Sequence, residues 1–138
     1  MSDYNNFNQQ IIDEFRANGG KVGGQFAGAS MLLLTTTGAK SGQPRTGPLV
    51  YTTDSDSMMV LASKGGAPTN ANWFYNLVTN PIVTVERGAE QFQACAMVRQ
   101  EPERTRLFNQ VAAIMPGFAE YQRNTPRQIP VVVLEKLA

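Results

Sequence analysis

The chain contains no histidine and a single cysteine, Cys95. Without histidine there is no Ser-His-Asp triad, no Cys-His dyad and no imidazole general base, and nearly all zinc sites are excluded as well. One cysteine rules out an internal disulfide, and a reducing cytoplasm is the compartment this implies. Cys95 stands in the alternating run QFQACAMV with no cation nearby, the setting of a buried structural thiol and not of an activated nucleophile. Long apolar runs are missing too. None approaches the ~20 residues that span a bilayer, and the N-terminus lacks the charge-then-apolar order of a secretory signal. Charge of one sign is also scarce: 12 Lys and Arg against 11 Asp and Glu leave a net +1. No overall field draws nucleic acid or an anionic membrane, so anion binding has to come from a local cluster. Chemistry in such a chain needs an organic cofactor or none, and no metal.

What is present fits one domain over residues 1–138, with an N-terminal helix and connector over 1–24. Phe7, Ile11, Ile12 and Phe15 recur at helical spacing, and the following NGG stops the helix. Its apolar face either caps the domain or rests on a membrane surface, and its few cations favour capping. MLLLTTT (31–37), TGPLVYTT (46–53) and MMVLAS (58–63) read as strands joined by polar turns. WFYNLVTN then reads as a short helix capped by Asn70 or Asn72 and ended before Pro81. IVTVER (82–87) and QFQACAMVRQ (91–100) form a hairpin. EPERTRLFNQVAAIM reads as a helix with proline in its first turn, PGFAEYQRNT as a shorter helix or turn, and IPVVVLEKL as a closing strand. The fold class expected is mainly β (α+β): a small antiparallel barrel of about six strands with helices packed outside.

Four groups of residues are able to carry chemistry. The turn GAKSGQPR sets Lys40 and Arg45 around Ser41 and two glycines, so backbone N–H groups and two cations can converge on an anion. A solvated hairpin loop uses the same residues, and the turn alone does not separate the two readings. Ser63 and Lys64 end the third strand before Gly65 and Gly66, where a flat ligand can approach the backbone, or where a plain loop begins. Trp73, Phe74 and Tyr75 are adjacent, so they cannot all face one side of a helix. One or two belong to the core, and another is left for a pocket wall or an interface. Tyr51 and Tyr121 can donate to a developing oxyanion, or be rings whose hydroxyls are satisfied elsewhere.

Taken together, LLLTTTGAKSGQPRTGPLVY, ASKGGAPTNANWFYNLVTNP and PGFAEYQRNT…IPVVVLE, in this order and spacing, resemble the deazaflavin-dependent nitroreductases, also called F420H2-dependent quinone reductases. The resemblance runs from about Leu32 to Glu135. It implies a split β-barrel that binds coenzyme F420, a hydride carrier with a phosphate and a polyglutamate tail, and that passes the hydride to a quinone, enone or nitro compound. It implies that Lys40, Ser41 and Arg45 hold the phosphate, and that Pro48, Leu49, Val50 and Tyr51 lie along the cofactor. Ala62, Ser63 and Lys64 then stand at the deazaflavin ring and its side chain, with Asn72, Trp73, Phe74, Tyr75 and Asn76 as further contacts. Tyr51, Ser63 and Tyr121 are the hydroxyls available to the reduced acceptor.

Two features set this chain apart within that resemblance. Ala39 stands where many such proteins carry arginine, and Met115 and Phe118 stand where several nitro-reducing ones carry tyrosine. A more apolar acceptor side follows. A small-molecule acceptor is the expected partner, with the chain acting as a monomer or homodimer. Peripheral contact with the inner membrane face stays open. Two other readings belong beside this one: a non-catalytic carrier of deazaflavin or an apolar ligand, and a barrel of the same kind loaded with FMN.

Overall fold

A computed structural model of the chain describes residues 3–20, 30–54, 57–62 and 72–137. Among these described residues seven strands form one antiparallel sheet: β1 (Met31–Thr37), β2 (Pro44–Val50), β3 (Thr52–Asp54), β4 (Ser57–Leu61), β5 (Ile82–Arg87), β6 (Glu90–Val98) and β7 (Val131–Lys136). Four described helices accompany them: α1 (Asp3–Ala17), α2 (Asn72–Thr79), α3 (Glu103–Ile114) and α4 (Gly117–Arg123). The strand order is β2-β1-β5-β6-β7-β4-β3.

That order explains why seven strands stand where six are expected. The run at 46–53 is extended throughout, but it breaks at Tyr51 into two pieces with different partners. β2 pairs with β1 at one edge of the sheet, and β3 pairs with β4 at the other. A single residue joins strands at opposite edges, so the sheet has to curl until those edges meet. The result is the curled, half-closed sheet of a split barrel, with β2 and β3 as its edge strands.

The alternation of side chains sorts the core into two faces. Leu32, Leu34, Met58, Val60, Val83, Val85, Ala94, Ala96, Val132 and Leu134 form the concave cluster. Their neighbours Met31 and Leu33 face α1 and meet Ile11, Ile12 and Phe15. Met59, Leu61, Val131 and Val133 meet Leu107, Phe108 and Val111 of α3. MLLL, MMVL and VVVL are unbroken apolar runs because both faces of these strands are covered. β5 and β6 are covered on one face only and keep the alternating pattern. Helix α1 therefore acts as a cap on β1 and β2, and Arg16 adds a two-toothed ion pair to Glu86, 3.0 and 2.8 Å. The side chain of Phe7 lies outside the described residues.

One helix departs from the expected outside position. Leu77 of α2 is fully buried in the concave cluster, with Trp73 and Phe74 packed against its rim. Burying a leucine contributes roughly 1.5–3 kcal/mol, enough to fix an eight-residue helix that would not persist alone. Smaller boundary shifts are local. Pro102 is the N-cap of α3 and not one of its helical residues. Cys95, expected to be buried, is half-buried on the outer face of β6.

Candidate functional site

The turn between β1 and β2 is built tightly. Gln43 O accepts the N–H of Gly38 at 2.8 Å, Gly38 O accepts that of Gly42 at 2.9 Å, and the Ser41 hydroxyl oxygen accepts that of Gln43 at 3.2 Å. Gly42 has φ +70°, the left-handed region that a side chain resists. Lys40, Ser41 and Arg45 are all exposed on this frame. Among the described residues neither Lys40 nor Arg45 forms an ion pair, whereas Arg16, Arg87, Arg99, Arg106 and Lys136 each have a carboxylate. Two cations with no acidic partner on a rigid turn are suited to an external anion.

Helix α2 holds this turn in place. The buried side chain of Asn76 accepts the N–H of Ala39 at 2.9 Å and donates to the Thr36 hydroxyl at 3.1 Å. Asn80 reaches the Thr37 carbonyl at 3.5 Å. Asn76 is only 8% exposed, and its amide serves the turn. The aromatic triplet resolves as helix geometry requires: Trp73 and Phe74 pack at the rim of the concave cluster, and Tyr75 stays 49% exposed, edge-on to Phe74 at 5.7 Å. Asn72 is exposed at the helix start.

The ladder register sorts β2 in the same way. Thr36 faces Arg45, Leu34 faces Gly47 and Leu32 faces Leu49, and directly opposed residues share a face. Leu49 and Tyr51 pack on the concave cluster. Arg45, Gly47, Leu49 and Tyr51 thus form one row, running from the cationic turn to Tyr51. Pro48 and Val50 point the other way, and Val50 packs with α1, so only their backbone runs along the row. Ala62 is buried, and its N–H donates to Pro130 O at 3.0 Å. Ser63 and Lys64, and the alternative cap Asn70, lie outside the described residues.

Tyr121 sits apart from Tyr51. It is on α4, edge-on to Phe118 at 5.9 Å, and Met115 and Phe118 pack against the outer cluster under α3. A buried network ties this region down. Arg104, 7% exposed, donates to Ile129 O at 2.9 and 2.7 Å and to the Gln122 carbonyl at 2.6 Å. Gln122 in turn donates to Arg127 O at 2.7 Å and accepts the Ile129 N–H at 2.9 Å. Burial pushes the Arg104 and Arg127 guanidinium groups below their ordinary range, and for Arg127 the Tyr75 phenol acts against that. Nothing in the sequence pattern marks Arg104, which reads as one more charge on a surface helix.

An open groove of about 460 Å³ lies on the convex face beside Thr35, Thr37, Pro44, Pro81, Ile82 and Gln93. Its lining carries hydroxyl and amide groups but no ionisable side chain. Among the described residues no acidic, cysteine or histidine cluster is able to hold a metal ion. The row on β2 is the better-equipped surface.

Residues 8–136 match the model of a family described as F420H(2)-dependent quinone reductase, extending the resemblance back through most of α1. An F420H(2)-dependent quinone reductase of Mycobacterium tuberculosis is 40% identical over 126 residues, 88% of this chain and 85% of the relative. A solved F420-H2 dependent reductase is 36% identical, covers 77% of this chain and 94% of its own, and superposes with a TM-score of 0.70. A second solved chain, described as a domain-swapped dimer, is 32% identical with a TM-score of 0.72 and covers 97% of this chain and 100% of its own. Matched over nearly its whole length, the chain belongs to the F420H(2)-dependent quinone reductase family, and coenzyme F420 is the cofactor this implies.

Proposed function

We propose that this chain binds F420H2 along the row on β2 and reduces a quinone, with enones and nitro compounds as further electron-poor acceptors. One observation carries the reading: Lys40 and Arg45, which form no ion pair among the described residues, stand at one end of a row whose other end is Leu49 and Tyr51. A phosphate at the cationic turn and a flat ring at the aromatic end match that order. When bound, the deazaflavin supplies a hydride, so the protein needs neither a nucleophile nor a metal.

What the chain contributes is placement. Lys40, Arg45 and the Ser41 hydroxyl hold the phosphate, and the turn keeps its shape through Asn76. Leu49, Tyr51, Trp73 and Phe74 hold the ring and exclude water from one side. Ala62, Ser63 and Lys64 complete the ring and tail contacts, and Asn72 and Tyr75 border the opening. A reduced quinone or enone gathers negative charge on oxygen, and a hydroxyl of Tyr51, Ser63 or Tyr121, or water, neutralises it. Met115 and Phe118 make the acceptor side apolar, which favours a quinone over a polar nitro compound. A homodimer belongs to this reading too, since a relative of the same architecture is a domain-swapped dimer.

The test is to follow oxidation of F420H2 by the purified protein with menadione, an enone panel and a nitroimidazole. Acceptor-dependent oxidation, fastest with the quinone, is expected. Binding with no oxidation by any acceptor would identify a non-catalytic carrier instead.

A further inference from the structure

We infer that Gly47 is the floor of the cofactor groove, kept free of a side chain so that the ligand can cross from the cationic turn to Leu49 and Tyr51. The inference rests on the reading under Proposed function and adds to it a residue that decides which ligands fit.

The local backbone gives no other reason for a glycine there. Gly47 lies in the middle of β2, and it is not among the positive-φ glycines of the described residues, which are Gly19, Gly20, Gly42 and Gly88. A Cβ built on Gly47 would meet no described atom within 4 Å. Neither torsion nor crowding asks for it. Glycine also weakens a strand, because it costs more backbone freedom and has no side chain to pack across the ladder. Its position supplies the reason. Gly47 pairs with Leu34 and shares the concave face with Arg45 on one side and Leu49 on the other.

Alternate residues along a strand stand about 6.6–6.8 Å apart, so Arg45 and Leu49 are separated by roughly 13 Å with Gly47 midway. A ligand with its anion at Arg45 and its ring at Leu49 and Tyr51 has to lie across that midpoint. Any side chain there would stand up into the ligand's path, and a branched one most. Gly47 thus acts as a specificity position, selecting ligands that connect an anion to a flat ring across this span.

Fluorescence titration of wild type, Gly47→Ala and Gly47→Val with F420, together with thermal melts, tests this. Both variants are expected to melt at or above the wild-type temperature, because the space is open and valine suits a strand. Affinity is expected to fall about threefold with alanine and at least about tenfold with valine, the latter 1.4 kcal/mol. Wild-type affinity in a folded valine variant would overturn the inference while leaving F420 binding itself intact. If valine prevents folding, the alanine variant decides: unchanged affinity, or a lowered melting temperature, overturns it. Failure of the wild type to bind F420 would instead remove the underlying reading, and this inference with it.

Discussion

The side-chain carbonyl of Asn76 accepts the backbone N–H of Ala39 across 2.9 Å, which makes the aromatic helix and the cationic turn one mechanical unit. Asn76→Ala removes that bond and the one to Thr36, leaving buried polar groups unpaired. A stability loss of about 1–3 kcal/mol is expected. F420 affinity should fall as well, although the side chain is buried, while kcat at saturating cofactor stays near wild type. A variant that is destabilised but binds F420 normally would show that the turn keeps its shape without α2.

Lys40 and Arg45 are exposed and carry no internal ion pair among the described residues, so removing them should not affect folding. Lys40→Ala and Arg45→Ala are each expected to weaken F420 binding by about 1.5–3 kcal/mol at low salt with melting temperatures unchanged. Because the site is open, wild-type affinity should also decline as ionic strength rises. Calorimetric titrations at two salt concentrations measure both. Unchanged affinity in the double variant would reduce the turn to a solvated loop.

The two tyrosines sit on different parts of the fold, Tyr51 on the concave row and Tyr121 on α4 beside Phe118. Replacing either with phenylalanine keeps the ring and removes the hydroxyl. If that hydroxyl supplies the proton, kcat should fall about tenfold or more while the F420 dissociation constant holds. Steady-state kinetics with a quinone decide. No change in either variant assigns the proton to Ser63 or to water.

Glu101, one residue before the N-cap of α3, accepts the Thr105 hydroxyl at 2.6 Å, the Thr105 N–H at 2.9 Å and the Gln128 amide at 2.8 Å. The Thr105 hydroxyl first, then its N–H, hold this carboxylate below its ordinary value of 4.5. A carboxyl depressed in the folded state stabilises above its unfolded pKa, and loses that contribution as pH falls through the folded value. The wild type is therefore expected to lose stability more steeply below pH 4.5 than Glu101→Gln does. Parallel acid dependences in urea melts would mean that Glu101 contributes nothing through its charge.

Much of the architecture is readable from residue pattern. The unbroken runs MLLL, MMVL and VVVL mark strands covered on both faces, and β5 and β6 alternate as half-covered strands do. What escapes is whatever depends on register or on distant partners. The split at Tyr51 has no local signal, since an extended run looks the same whether it serves one sheet edge or two. Leu77 reads as an ordinary helix residue, and only the closed sheet makes it part of the concave core. Asn76 reads as a member of an aromatic cluster, yet its hydrogen bonds go to residues 37 and 40 positions earlier in the chain. The motif GAKSGQPR points to an anion site by its composition, but that Arg45, Gly47 and Leu49 share a face follows from pairing with β1.

The central claim is that the row on β2 recognises a deazaflavin through its phosphate and ring together. A side-by-side titration of the purified protein with F420 and with FMN tests it most directly. Micromolar or tighter binding of F420, weakened by the Lys40→Ala/Arg45→Ala double variant and far exceeding that of FMN, is the predicted result. No binding of F420 at micromolar concentration, or a protein that purifies yellow with bound FMN, would contradict it.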